Sequence, residues 1–142
     1  DLLNPVYTPV LSPGLADSIG GVNEPADLLK LPMISPHDHW WLQWLHTAGI
    51  DKPDMPAESP GVFESQDLEV AAALAGHGVA IVSPFFFPDE LASGRLIQPF
   101  PIALPSDNPI RLVYPRARRN APKIKAFHAW IERQLADGLP AS

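Results

Sequence analysis

The sequence predicts an α/β domain, on three observations. The first is the order of elements around Phe63 to Ser83, which reads as strand, helix, strand. Gly61-Val62-Phe63 is a short extended run. Ser65 is placed to cap the helix after it, its hydroxyl accepting from the free amides of the first turn. Leu68, Ala71, Ala72 and Ala75 recur at helical spacing and form one apolar stripe. Gly76 supplies a left-handed stop and Gly78 breaks the chain again. Val79-Ala80-Ile81-Val82 is fully apolar, as expected of a strand covered on both faces. The second observation is composition: 142 residues, 46% hydrophobic, allow one modest core. The third is the placement of 18 prolines between the periodic segments, which reads as many short connections in a folded domain.

The same composition sets limits. The absence of cysteine excludes disulfides and thiolate metal sites. No apolar run approaches the roughly 20 residues of a membrane span, and no secretory signal is visible. A net charge of -6 argues against this stretch itself gripping DNA.

In chain order, Leu2, Leu3 and Val6 read as a strand ending at Tyr7-Thr8-Pro9. Ser12-Pro13 opens a short helix through about Asp17, ended by Gly20-Gly21. Pro25 suits the first turn of the next helix, with Leu28, Leu29 and Leu31 as its apolar contacts. Met33-Ile34 reads as a short strand. Trp41, Trp44, Leu45 and Ala48 share one face of a helix stopped by Gly49, and Trp40 points to another face, toward a cleft or an interface. Asp51 to Pro60 reads as a surface loop. Pro84 to Pro88 carries three consecutive phenylalanines, which cannot all face one way. Asp89-Glu90-Leu91 begins a helix ended by Gly94. Leu96-Ile97 and Pro109 to Tyr114 read as strands. Pro122 opens a last helix with the stripe Ile124, Phe127, Ile131 and Leu135, ended by Gly138.

Two motifs invite a chemical reading. His37-Asp38-His39 has the spacing of a zinc or iron site. A third ligand is not near in sequence, and Asp38 before a helix is better explained as a cap, so no metal is expected. Arg116, Arg118, Arg119, Lys123 and Lys125 form a basic run that a solvated surface explains more simply than nucleic acid. No Gly-rich phosphate loop, serine-nucleophile elbow or positioned carboxylate pair appears.

The pattern F-x-S-x-x-x-x-x-A-A-x-x-G-x-G-V-A, then a proline and D-E-L-A-S-G-R-L, resembles the effector-binding domain of LysR-type transcriptional regulators. Val6-Tyr7-Thr8-Pro9, Pro25-Ala26-Asp27-Leu28, His37-Asp38-His39-Trp40, Leu112-Val113-Tyr114-Pro115 and Ala126-Phe127 with Trp130-Ile131 extend the match over nearly the whole chain. It is most similar to the branch of the glycine-cleavage and β-lactamase regulators. The resemblance implies a periplasmic-binding-protein-like (type II) two-lobed effector domain. Lobe II, residues 1–100, is nearly complete; residues 101–142 are the return strand and final helix of lobe I. The remainder of lobe I and an N-terminal winged helix-turn-helix that holds DNA would lie outside these residues. The final helix would then lack most of the sheet it covers.

The resemblance further implies a bacterial, cytoplasmic sensor of transcription, not an enzyme, with no cofactor and no membrane contact. It would work as a homo-oligomer, a dimer or tetramer. A small-molecule effector of open identity would lie between the lobes and favour one oligomer geometry. Thr8 at the crossover, and Ser65, Gln66 and Asp67 at the helix start, would offer polar contacts, the helix start being suited to a carboxylate. Phe85 would wall the cleft, and Arg111 on the return strand is a candidate to face it. Asp67 departs from what an anionic effector needs and would favour an amine. Two alternatives stay open: a periplasmic-type solute-binding protein, and a metal-dependent hydrolase using His37, Asp38 and His39.

Overall fold

Residues 1–57 and 59–137 are described by a computed structural model. The chain divides into two compact units, Val6–Leu104 and a second made of Asp1–Pro5 with Pro105–Ser142.

The larger unit is built on β1 (Val6–Val10) and β2 (Ala80–Val82), paired antiparallel with Thr8 opposite Val82 and Val10 opposite Ala80. β3 (Leu104–Pro105) completes a three-stranded sheet in the order β2-β1-β3. Single bridges extend β1 and β2: Leu11 pairs with Ile97, and Met33 runs parallel to Val79. The expected strands at Met33-Ile34 and Leu96-Ile97 are thus one-rung pairings.

Side-chain alternation along β2 explains its apolar run. Val79 and Ile81 join Leu11, Leu28, Met33, Trp41, Trp44 and Leu45 in one core cluster. Ala80 and Val82 join Val10, Ile34, Val70, Ala73, Phe87 and Leu96 in the other. The strand is covered on both faces, as its sequence predicts.

α1 (Pro13–Asp17) starts at Ser12, whose Oγ accepts from Leu15 N at 3.3 Å. A 3-10 helix spans Pro25–Lys30, held by a capping box between Glu24 and Asp27. α2 (His39–Thr47) is capped by Asp38, which accepts from Trp40 N at 3.0 Å. It buries Trp41, Trp44 and Leu45 on the expected face and ends at Gly49, φ 92°.

α3 (Gln66–Leu74) corrects the sequence reading twice. Its buried face is Glu69, Val70 and Ala73, whereas Leu68 is 54% exposed. An alanine-rich helix has too little asymmetry for spacing alone to fix which face packs. Ser65 occupies the cap position, but its side chain makes no capping bond; only its carbonyl is used, accepting from Glu69 N. Gly61 to Phe63 forms no strand: Ser35 N donates to Gly61 O at 3.0 Å, and Phe63 N donates to Ser35 Oγ at 3.2 Å. Gly78 is required by close approach, because a Cβ there would meet Pro32 O and Ile34 Cγ1 at 3.0 Å.

Pro84–Phe86 is a 3-10 turn and α4 (Pro88–Ala92) comes next, ended by Gly94 at φ 74°. Phe87 is buried, while Phe85 and Phe86 are half-buried and meet edge to face at 5.4 Å.

In the smaller unit, the run expected as a strand at Pro109 to Tyr114 is reduced to one bridge, Leu3 to Ile110. Ile110 N donates to Leu3 O at 2.7 Å, and beyond it Val113 is 83% exposed. α5 (Pro122–Ala136) buries no residue; Ile124, Ile131 and Leu135 are half-buried and Phe127 is exposed against Trp130. Its expected stop, Gly138, lies outside the described residues.

Candidate functional site

The start of α3 opens on a cavity of about 200 Å³ whose lining includes Tyr7, Asp38, Trp40, Glu64, Ser65, Gln66 and Glu69. Each lining group has a structural reason to be there. Tyr7 precedes the buried Thr8 on β1 and so faces the opposite side of the strand. Trp40 leaves the first turn of α2 away from the Trp41–Trp44 face and stacks on Tyr7, ring centroids 4.3 Å apart and planes 14° apart. His39 lies against Trp40 at 4.6 Å.

Glu69 is one helical turn beyond Ser65. Helical side chains lean toward the N-terminus, so its carboxylate lies back over the first turn of α3. It is 6% exposed, and its Oε1 accepts from Ser35 Oγ at 2.8 Å. Ser35 reaches it from a left-handed backbone conformation, φ 48°, which a serine adopts only under constraint. Burial pushes the Glu69 carboxyl above its ordinary range and nearby Asp38 adds to this, while the Ser35 bond opposes it. Burial, then the charge of Asp38, raises the Tyr7 phenol, against a hydrogen bond with Gln66.

Gln66 ties α3 to β2: its Oε1 accepts from Ser83 N at 2.7 Å. The Ser83 hydroxyl beside it is fully buried, with no hydrogen-bond partner among the described residues. Among the described residues the lining carries three carboxylates, Asp38, Glu64 and Glu69, and no lysine or arginine.

Of the residues singled out in the sequence, Ser65 and Gln66 line this cavity. Thr8 is fully buried and donates its hydroxyl to Ile102 O at 2.7 Å, sharing that acceptor with Trp44 Nε1 at 2.9 Å. Asp67 is exposed on the helix, and Phe85 packs on Phe86. Arg111 belongs to the smaller unit, where its Nε meets Asp1 Oδ1 at 2.6 Å. Tyr7 and Glu69 are additions that the sequence reading did not place in a site; Trp40, expected to face a cleft or an interface, and Asp38, expected as a helix cap, line the cavity with them. The available signal was Glu69 at Ser65+4, on the face that points back to the helix start.

His37, Asp38 and His39 border a second cavity with Val62 and Phe63. Asp38 Oδ1 is 3.2 Å from His39 Nδ1. Among the described residues no cluster of three or more His, Cys, Asp or Glu could hold a metal ion. A broader open groove of about 810 Å³ runs between Ser12, Leu15, Leu74, Gly76, Gly94 and Arg95. The α3 cavity is the candidate site because the buried Glu69 carboxylate and the helix-start residues Ser65 and Gln66 converge on it.

The family model for the LysR substrate binding domain matches residues 2–136, and the chain belongs to that family. It is 35% identical over 134 residues to the transcriptional activator AmpR of Citrobacter freundii, covering 92% of this chain and 43% of that protein. It is 30% identical over 129 residues to the glycine cleavage system transcriptional activator of Escherichia coli K12, covering 90% of this chain and 42% of that protein. Among solved structures, the AmpR effector binding domain of Citrobacter freundii superposes with a TM-score of 0.75 at 31% identity, over 96% of this chain and 66% of that one. The fold is therefore that of the periplasmic-binding-protein-like LysR effector domains, and the chain spans less than half the length of the curated relatives it matches. No helix among the described residues is long and apolar enough to cross a membrane.

Proposed function

We propose that this chain is the effector-sensing part of a LysR-type regulator, and that the cavity at the start of α3 takes the small molecule it senses. The observation that carries this is the convergence of Ser65, Gln66, Tyr7 and Glu69 on one cavity in a chain of this family. The Ser65 hydroxyl makes no capping bond among the described residues, where a structural cap would have used it. The amides of Gln66, Asp67 and Leu68 have no acceptor among the described residues, so the positive end of α3 is open to a carboxylate.

In this reading residues 1–100 belong chiefly to lobe II, residues 101–142 to lobe I, and DNA is held by a winged helix-turn-helix elsewhere in the regulator. The regulator works as a cytoplasmic homo-oligomer and catalyses no reaction. Effector binding acts by differential affinity for two arrangements of that oligomer.

The test is a metabolite screen by thermal shift on the full-length regulator, then footprinting on its own promoter region. A ligand in excess of its Kd by about 100-fold stabilises the protein by about 2.7 kcal/mol. Ser65→Ala is expected to weaken that shift and the footprint change together. A metabolite that changes the footprint equally in wild type and in Ser65→Ala and Gln66→Ala would move the site elsewhere.

A further inference from the structure

The net charge of -6 hides a segregation of charge along the chain. Arg116, Arg118, Arg119, Lys123 and Lys125 are five of the ten lysines and arginines, and no aspartate or glutamate stands between Asp107 and Glu132. All five are exposed, and among the described residues none is in an ion pair, whereas Lys30, Arg95 and Arg111 each have a carboxylate partner. Screening limits the reach of exposed charges to about 8 Å at physiological salt, so the local sign decides what this surface attracts.

Local structure concentrates the charge. Arg116–Arg118 is a 3-10 turn, and Arg119 N donates to Arg116 O at 3.3 Å. Side chains three apart eclipse in such a turn. Arg116 and Arg119 therefore project to one side, and they line one open cavity of about 530 Å³ with Ala117 and Asn120. α5 then starts at Pro122 with Lys123 and Lys125, no acid in its first turn and no side-chain cap. The positive end of a helix favours acids, and here it meets lysines instead. Each of these charges is placed against its neighbours, and an anion offsets all of them.

We propose that this surface is a second binding site, separate from the α3 cavity, for the phosphodiester backbone of nucleic acid. Guanidinium forks match phosphate oxygens with paired hydrogen bonds. Arg116 and Arg119 clasp one phosphate beside the Asn120 amide, and Arg118, Lys123 and Lys125 meet its neighbours along the strand. A protein partner fits less well. From Arg116 to Lys125 no large hydrophobic side chain is exposed, so an interface core has no apolar anchor. Backbone phosphates need none, because charge and hydrogen bonds suffice to hold them. In the regulator proposed above another domain holds DNA, and this run adds a contact that reads no sequence.

The test is fluorescence anisotropy of a labelled random-sequence DNA duplex, titrated with the 142-residue chain at salt concentrations from 50 to 200 mM. Each phosphate contacted adds about -0.9 to the slope of log K against log salt, so five contacts give about -4.5. Arg116→Gln with Arg119→Gln is expected to weaken binding and bring the slope to about -2.7. Arg116→Lys with Arg119→Lys keeps both charges and is expected to keep the slope. Lys52→Gln with Arg95→Gln removes the same charge from the larger unit and is expected to leave the slope unchanged. Equal losses from the two glutamine pairs would overturn the site and leave only net charge at work. Poly-L-glutamate displacing the label as well as unlabelled duplex, charge for charge, would overturn the phosphate and point to an acidic protein. Inorganic phosphate doing so at equal phosphate concentration would reduce the site to a single-anion pocket and overturn the strand. No saturable binding at the lowest salt would remove the site, with the effector reading of the α3 cavity untouched.

Discussion

Thr8 and Trp44 converge on one carbonyl, and a double-mutant cycle can measure what that sharing is worth. Thr8 Oγ1 and Trp44 Nε1 both donate to Ile102 O, at 2.7 and 2.9 Å, and both side chains are fully buried. Thr8→Val keeps the shape and deletes one donor. The carbonyl retains Trp44, so the expected cost is about 1 kcal/mol, the net worth of one bond. Trp44→Phe deletes the other donor and part of a ring packed on Phe100, for about 2 kcal/mol. In the double variant the acceptor loses both partners, and the penalty for an unsatisfied buried group, about 1–3 kcal/mol, appears for the first time. The sum is therefore expected to be exceeded by about 1 kcal/mol or more. Urea unfolding monitored by far-ultraviolet circular dichroism, with equal slopes across the four proteins, reads these values directly. Additivity within about 0.3–0.5 kcal/mol would refute the shared acceptor and show that water replaces the lost donors.

Two further predictions concern pH. Glu69 holds its proton more tightly when folded than its ordinary value of 4.5, so the native state pays an increasing penalty as pH rises from 4.5 through the raised value. Glu69→Gln should gain melting temperature relative to wild type as pH goes from 4.5 to 8; a difference that is flat, or largest in acid, would contradict the burial of a charged carboxylate. Asp27 is the opposite case: Lys30 at 2.6 Å and the amides of Asn23 and Glu24 hold its carboxyl down at about 2, from 3.8. Its contribution is complete above 3.8 and lost as pH falls through about 2. Asp27→Asn is therefore expected to lower the melting temperature at pH 6, with the gap from wild type closing toward pH 2. An unchanged gap at low pH would show that the capping geometry, not the charge, matters.

Legibility in the sequence tracked how strongly each segment commits itself. α2 could be read in full because its cap, its tryptophan spacing and its terminal glycine all agree. β2 was equally plain, since four apolar residues in a row leave no face for water. α3 was located but turned wrongly, because alanines pack on either side with little difference. Ser65 and Gln66 were legible as a helix start, and both line the cavity there. Glu69 was not, because a glutamate on a helix is ordinarily solvated, and its burial depends on Ser35, 34 residues earlier. The strand expected at Pro109 to Tyr114 needed a partner as long as itself, and in its own unit Leu3 supplies one rung.

The Tyr7–Trp40 stack gives the molecule a built-in optical reporter. Two aromatic chromophores held 4.3 Å apart at a fixed angle form a chiral pair, and such a pair has its own near-ultraviolet dichroism. Both rings border the cavity at the start of α3. Whatever fills that cavity changes the surroundings of the pair. Occupancy of the cavity can therefore be monitored by light, separately from the stability of the fold.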